Sequence, residues 1–119
     1  MSVRQDKLLI CDMIEACNRI ILYTKNIDSS EELCKQSIVA DATIRNIEIL
    51  GEASAKVSQT IKERFNNIPW REITATRNVL IHEYFGIDFD TLYKIVKDDI
   101  PKLYRDLKAI CKAEGWECE

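Results

Sequence analysis

The spacing of hydrophobic residues predicts helices along almost the whole chain. Ile10, Ile14, Cys17 and Ile21 recur every three or four residues, a spacing that places them on one face of a helix. This pattern predicts an amphipathic helix over about residues 4–25, and the polar residues that follow end it. We therefore expect the first helix to bury one face against the rest of the protein.

A capping signal predicts the start of a second helix. Ser29 can accept a hydrogen bond in the first turn, and Glu32 three residues later completes a capping-box sequence. The helical pattern then continues to about Ser58 or Phe65. Gly51 lies inside this stretch, where a glycine costs about 1 kcal/mol relative to alanine. A glycine at such a position indicates close packing against another backbone.

A proline and a glycine bracket a third predicted helix. Pro69 suits the first turn of a helix that begins at about Trp70. The helix is expected to continue to Tyr84, and Gly86 is a suitable C-terminal stop. This helix would carry most of the residues with candidate chemistry.

The remaining residues predict a fourth helix and a last one. Asp88 can cap the fourth helix. Pro101 cannot donate to the helical ladder, so a kink or a restart is expected near residues 98–100, before a last helix that reaches about residue 113. No strand is predicted. The sequence therefore indicates an all-α fold, with one domain over residues 1–119 built as an antiparallel bundle of four to five helices.

Composition and charge narrow the class of protein. The 119 residues are 46% hydrophobic and 31% charged, as in an ordinary globular domain with one core. The formal net charge of −3 counts against broad electrostatic binding of nucleic acid but leaves a local basic groove open. No apolar run approaches the roughly 20 residues needed to span a bilayer, and the N-terminal residues do not resemble a signal peptide. We therefore expect a cytoplasmic protein.

The cysteines show no spacing typical of a metal site. There are five of them, Cys11, Cys17, Cys34, Cys111 and Cys118, with no paired C-x2-C spacing. The simplest interpretation is that they are reduced thiols packed as small hydrophobic residues. Scattered cysteines and a single histidine also argue against a zinc site. We expect no metal and no cofactor.

The candidate chemistry is concentrated in residues 77–85, which contain the only histidine of the chain. Arg77, His82 and Tyr84 supply a permanent cation, a proton carrier at neutral pH and a phenol. Asn78 and His82 are four residues apart and would form a neighbouring row on a helix. Arg77 and His82 are five residues apart, about 140° around an ideal helix. They would not stack, but both could flank one groove because arginine is long.

These groups suit RNA cleavage by attack of the ribose 2′-OH on the adjacent phosphate. Arg77 would hold the phosphate, His82 would transfer protons and Tyr84 would orient or gate the substrate. The reaction needs an acid and a base. A two-fold dimer could supply two copies of His82 and Arg77 to one cleft, or one histidine could act in both roles. The alternative is structural: the helix dipole favours a histidine at a helix C-terminus, and the aromatic residues beside it could be core.

Other polar and aromatic residues near the third helix are interpreted as structural. Lys62, Arg64 and Arg71 could follow an RNA backbone, but neighbouring glutamates dilute their charge. We interpret this region as a mixed surface. Trp70, which follows a proline, is expected in the core rather than in a base-stacking platform.

The segment Thr-Arg-Asn-Val-Leu-Ile-His-Glu-Tyr-Phe-Gly-Ile-Asp at residues 76–88 resembles the signature of the HepT-like branch of the HEPN superfamily. Residues 47–53, 68–70 and 100–104 resemble other recurrent segments of this branch, in the same order and spacing. The resemblance covers about residues 8–112. Its most specific part is the Arg-Asn-x-Leu-x-His-x-Tyr string with Gly-Glu-Ala upstream.

This resemblance implies a small, all-helical, homodimeric ribonuclease that is the toxin of a toxin–antitoxin pair. It implies metal-independent cleavage in a cleft at the dimer interface, with Arg77 and His82 catalytic and with Asn78 and Tyr84 supporting them. The implied antitoxin is a minimal nucleotidyltransferase that transfers AMP from ATP to the motif tyrosine, here Tyr84. A bulky anionic group there would block the cleft and repel the phosphates of the substrate.

Three functions are compatible with these residues. The first is an RNA endonuclease toxin that leaves cyclic-phosphate ends. The second is a non-catalytic nucleotide- or partner-binding subunit of a nucleotidyltransferase, in which Arg77 and His82 hold a nucleotide phosphate. The third is a purely structural dimer in which the motif serves packing.

Overall fold

The computed structural model describes the backbone of residues 3–82 and 86–118, and the side chains of these residues other than 3, 77, 81 and 82. The fold is all-α, as predicted, apart from one short strand pair. The elements of the described residues are α1 (Val3–Tyr23), α2 (Ser30–Lys35), α3 (Ser37–Lys56), α4 (Gln59–Arg64), α5 (Trp70–Leu80), β1 (Ile81–His82), β2 (Gly86–Ile87), α6 (Phe89–Lys94) and α7 (Ile100–Glu114), with a π-helical segment (Ile95–Asp99) between α6 and α7.

Helix α3 lies between α1 and α5 and runs antiparallel to both. Ser58, just beyond α3, donates from its N and Oγ to the two carboxylate oxygens of Asp6 near the start of α1, at 2.9 and 2.6 Å. Ser54 near the end of α3 donates to the carbonyl oxygen of Trp70 at the start of α5, at 3.1 Å. Asp6 is 5% exposed, and these bonds satisfy both oxygens of its buried carboxylate.

The core lies along α1, which packs against α3 and against α7. Ile10 and Met13 from α1, Leu50 from α3 and Leu107 from α7 are buried there. Full burial of such a side chain contributes about 1.5–3 kcal/mol. The first predicted helix is confirmed, with bounds within two residues of those expected. Within the described part of the chain, no helix is long and apolar enough to cross a membrane.

The second predicted helix is interrupted twice, so a single helix to residue 58 or 65 is wrong. The predicted cap is confirmed, because Ser29 accepts from the backbone N of Glu32 at 3.1 Å. The helix then ends at Gln36, and α3 ends at Val57, which has an extended backbone. Ser58 caps the short helix α4 while its backbone N and its hydroxyl are bonded to α1. The described residues therefore contain seven α-helices, more than the four to five predicted.

The third predicted helix ends four residues earlier than expected, at Leu80 instead of Tyr84. The chain then forms β1, which pairs antiparallel with β2 so that residues 81 and 87 are opposite each other, as are residues 82 and 86. Gly86 has a φ of +79°, a conformation that glycine adopts without steric cost. Each strand of the pair carries an isoleucine, a residue type that favours extended structure. The prediction of no strand is therefore wrong at this place.

The last two helices follow the predicted pattern. Asp88 caps α6 by accepting from the backbone N of Thr91 at 3.1 Å. At the place where a kink or a restart is expected before Pro101, the helical backbone passes through the π-helical segment, and Ile95, Asp99 and Ile100 have right-handed helical dihedral angles. A wider turn at this place accommodates a proline, which has no N–H for the helical ladder. Gly115, in the left-handed conformation with φ +70°, ends α7.

Two cysteines form a disulfide, so the prediction of reduced thiols is wrong for them. Cys11 on α1 is bonded to Cys118 beyond α7. The thiol of Cys111 lies 3.8 Å from the Cys118 sulfur, so these cysteines are clustered rather than scattered. Cys17 is buried in the core as predicted, and burial raises its pKa to about 12. Cys34 is exposed.

The prediction of close packing at Gly51 is confirmed and can be tested. A Cβ atom there would lie 3.3 Å from the carbonyl oxygen of Thr74 and 3.4 Å from that of Ile73, both on α5. Gly51→Val is expected to destabilise the protein by about 1–3 kcal/mol, because the backbone of α5 must move. In Gly51→Ala the helix-propensity gain of about 1 kcal/mol should offset most of a smaller steric cost. Urea unfolding measures both, and a valine variant as stable as the wild type would contradict this packing.

Candidate active site

Helix α5 carries the first two residues of the motif and is held firmly against the core. Trp70 at its start is 7% exposed, and its Nε1 donates to the carbonyl oxygen of Phe65 at 3.1 Å, which confirms the core position predicted for it. The Thr74 hydroxyl donates to the Ser54 hydroxyl at 3.2 Å. Leu80 at the other end is fully buried. The backbone that carries Arg77 and Asn78 is therefore fixed at both ends of the helix.

The backbone of His82 lies in β1, two residues beyond the end of α5. The expected angle of about 140° between Arg77 and His82 assumed one ideal helix, and that assumption is wrong because the helix ends at Leu80. The strand pairing with Gly86 now sets the position of the His82 backbone. Tyr84 lies outside the described residues, so its predicted role stays a prediction.

Asp88 forms hydrogen bonds with α5 and with α6, the helices before and after the strand pair. Its backbone N donates to the carbonyl oxygen of Leu80 at 3.0 Å. Its carboxylate accepts from the backbone N and from the hydroxyl of Thr91, at 3.1 and 2.8 Å. The last residue of α5 and the first turn of α6 are thus joined through one aspartate. The segment that carries His82 is anchored where it leaves and where it re-enters the helical framework.

Asn78 is exposed and lines an open cleft of about 1050 Å³. The cations of Lys62 and Arg71 line the same cleft, and so do the carboxylates of Glu63 and Glu72. This combination is the mixed surface that the sequence indicates. Single strands of nucleic acid are held by local cations beside polar groups. The cleft is therefore a candidate for contact with a phosphate backbone.

Arg64 does not take part in this cleft. Its guanidinium forms a bidentate ion pair with Glu114 at the end of α7, with Nη1 3.0 Å from Oε1. Such a fork–fork pair fixes the side chain in one orientation. Of the three basic residues considered from the sequence, two are in the cleft and one is structural.

Thr43 is a candidate supporting residue that the sequence analysis missed. It is fully buried, and its hydroxyl has no hydrogen-bond partner among the described residues. Residues 43, 47 and 51 are spaced by four and form one row on α3, and Gly51 in this row contacts α5. The antiparallel packing then places Thr43 towards the C-terminal end of α5. A polar residue in the apolar row of a helix was the signal available in the sequence.

Comparison with known proteins connects this site to a family. The family described as "Ribonuclease HepT-like" matches residues 13–110, a range that contains the whole motif. "Putative RNase MJ1380" of Methanocaldococcus jannaschii is 42% identical over 110 residues, 92% of this chain and 100% of that protein. "Probable ribonuclease HepT" of Thermococcus cleftensis is 41% identical over 100 residues, 84% of this chain and 90% of that protein.

A less similar relative also has a name that describes a ribonuclease. "Putative RNase TTE0752" of Caldanaerobacter subterraneus subsp. tengcongensis is 32% identical over 102 residues, 86% of this chain and 90% of that protein. No solved structure matches the chain. The family match covers most of the sequence, and the relatives are covered over nearly their whole length. The protein belongs to the HepT-like ribonuclease family.

Proposed function

We propose that the protein is a metal-independent endoribonuclease that cleaves RNA by attack of a ribose 2′-OH on the adjacent phosphate and leaves cyclic-phosphate ends. The observation that carries the proposal is the complete Arg-Asn-x-Leu-x-His-x-Tyr motif at residues 77–84 in a chain of the HepT-like ribonuclease family. The names of the relatives, which describe ribonucleases, support it. The position of the motif where α5 meets the strand pair supports it as well.

The side chains of the motif supply what this reaction requires. Arg77 binds the scissile phosphate and stabilises the negative charge that develops on it. His82 transfers protons as acid or base near neutral pH. Asn78, exposed at the cleft, orients the bound RNA, and Lys62 and Arg71 contact the neighbouring phosphates. With charge and proton transfer supplied by side chains, the reaction proceeds without a metal ion.

A two-fold homodimer provides the second histidine that an acid–base pair uses. Each chain has one histidine, and two-fold dimers are the commonest oligomers. In the proposed dimer the two copies of Arg77 and His82 share one cleft. The acidic overall charge is then compatible with RNA binding, because recognition depends on this local cleft.

The proposed partner is a nucleotidyltransferase antitoxin that inactivates the toxin at Tyr84. The phenol oxygen attacks the α-phosphorus of ATP, forms a phosphodiester with AMP and releases pyrophosphate, while the phenol proton goes to a base of the transferase or to solvent. The new group adds bulk and negative charge beside Arg77 and His82. Charge repulsion and occupation of the cleft then exclude RNA.

Cleavage by the motif is tested with RNA and purified, unmodified protein in the presence of EDTA. The wild type is expected to cut RNA and to leave cyclic-phosphate ends. Arg77→Ala and His82→Ala are each expected to lower the rate by about 100-fold or more, because each removes a group that acts in the transition state. Gel analysis and mass spectrometry of the RNA ends measure both results.

Arg64→Ala is the matched control, because it removes an equal charge from an arginine that pairs with Glu114 outside the cleft. It should retain the wild-type rate. Intact RNA with the wild type, or an equal loss in Arg64→Ala, would contradict the proposal. A heterodimer of Arg77→Ala and His82→Ala contains one intact Arg77 and one intact His82, on different chains. It should regain part of the activity if the two chains share the cleft.

Alanine substitutions at two glycines with similar φ values can separate an effect on RNA cleavage from an effect on stability. Gly86 and Gly115 have φ values of +79° and +70°, and a Cβ atom at either position meets nothing within 4 Å. Alanine at either position is expected to cost about 1–2 kcal/mol of stability. Only Gly86→Ala should also slow RNA cleavage, because Gly86 pairs with His82. Urea unfolding and initial cleavage rates test this, and equal rates in the two variants would contradict it.

Modification of Tyr84 is tested by incubating the protein with the partner transferase and ATP. The intact mass is expected to rise by AMP units, and RNA cleavage should fall in proportion to the modified fraction. Tyr84→Phe should block the increase because it removes the accepting oxygen. Tyr23→Phe is the control, since Tyr23 is exposed on α1 and outside the motif. A mass increase that persists in Tyr84→Phe would show that another residue is modified.

A further inference from the structure

Three cysteine sulfurs meet at one place between α1, α7 and the residues that follow α7. Cys11, Cys111 and Cys118 have Sγ atoms that all lie within 4.8 Å of one another. Cys11 and Cys118 form the disulfide, and the Cys111 sulfur is 3.8 Å from that of Cys118. Two of these residues lie near opposite ends of the sequence, so only the folded chain brings them together. We call these three residues the thiol cluster.

The end of α7 explains how the chain brings Cys118 back to the helices. Gly115 ends α7 in the left-handed conformation. The backbone N of Trp116 then donates to the carbonyl oxygen of Cys111 at 2.8 Å, a bond typical of a helix C-terminal cap. This cap reverses the chain, so the segment after Gly115 returns beside α7. Cys118 thereby reaches Cys11 on the neighbouring helix α1.

We propose that, when the disulfide is reduced, the thiol cluster binds a Zn²⁺ ion through three thiolates. Zinc binds thiolate sulfur at about 2.3 Å, and in a tetrahedral site two such sulfurs are therefore about 3.8 Å apart. The sulfurs of Cys111 and Cys118 already have this separation. Thiolates are soft ligands that select zinc over calcium or magnesium. Breaking the disulfide frees Cys118, the most exposed member of the cluster, to move to the same separation from Cys11.

The surroundings leave room for a fourth ligand. Cys111 is 8% exposed, which protects one side of the cluster from solvent. Cys11 and Cys118 line a surface cavity of about 650 Å³, which opens the other side. The carboxylates of Asp12 and Glu117 line the same cavity. A carboxylate or a water molecule from this cavity completes the tetrahedral site, both being common zinc ligands.

The charge around the thiol cluster is compatible with a metal ion bound by thiolates. Three thiolates and Zn²⁺ have a net charge of −1, and the cations of Arg4 and Lys7 line the adjacent cavity. The ion replaces the protons of the three thiols and stabilises the thiolates.

The disulfide and the bound metal are alternative states of the same residues. A dithiol reductant gives two electrons and two protons to the Cys11–Cys118 bond and becomes a disulfide itself. Binding of Zn²⁺ to the three thiols then releases three protons to solvent. In the oxidised state the thiol cluster keeps only one thiol, that of Cys111, and does not bind the ion. All three cysteines lie outside residues 13–110, the part matched by the family, so this site is independent of the proposed ribonuclease function.

Cobalt titration of the full chain tests this site. The protein is reduced with a phosphine, freed of metal and titrated with Co²⁺, which has visible absorption in tetrahedral thiolate sites. One Co²⁺ per chain is expected, with sulfur-to-cobalt charge-transfer bands that disappear when Zn²⁺ is added. Cys118→Ser should weaken binding by about 100-fold or more, because loss of a ligand costs at least as much as loss of a ligand's supporting residue. Cys118 is exposed and follows the last helix, so this variant should fold, which circular dichroism checks.

Cys34→Ser is the matched control, because Cys34 is an exposed free cysteine outside the thiol cluster. It should bind cobalt as the wild type does, and the oxidised wild type should not bind. Absence of the charge-transfer bands in the reduced wild type would overturn the proposal. So would unchanged binding in Cys118→Ser, or loss of binding in Cys34→Ser.

Discussion

The close approach of α3 and α5 at Gly51 is the constraint on which the site depends. Two carbonyl oxygens of α5 lie 3.3 and 3.4 Å from the position of a Cβ atom at Gly51. The hydroxyls of Ser54 and Thr74 join the two helices beside this contact. Because α3 also packs along α1, α5 is placed relative to the whole core. The motif at the end of α5 takes its position from these contacts, which lie three or more residues away from it.

Most of the helical residues could be predicted from the sequence, but the helix ends at Gln36, Val57 and Leu80 could not. Apolar periodicity and capping residues are local, and they located α1, the start of α2 and the cap of α6. Val57 ends α3 because Ser58 is bonded to Asp6, 52 residues away. Leu80 ends α5 where its carbonyl oxygen accepts from Asp88 on the other side of the strand pair. Contacts between distant residues decide such ends, and helical periodicity does not report them.

The site also has features that the sequence predicted and features that it did not. The residue types of the motif predicted its chemistry, and the resemblance to the HepT-like branch assigned the family, which the comparisons confirm. Spacing on one ideal helix does not apply to Arg77 and His82, because the helix ends between them. The thiol cluster was missed for a related reason. Cys11 and Cys118 are separated by 107 residues, and cysteine spacing in sequence identifies only local pairs.

The disulfide has a further consequence, because it joins residues near the two ends of the sequence. When it is closed, the residues between Cys11 and Cys118 form a ring in the unfolded chain. Closing a ring of about 100 residues removes conformational entropy worth about 4.7 kcal/mol at 25 °C in the chain-entropy model. Neither Arg77 nor His82 takes part in the disulfide. The free energy of unfolding would thus be lower in reducing surroundings, where the unfolded chain regains this entropy, while the residues proposed to cut RNA stay the same.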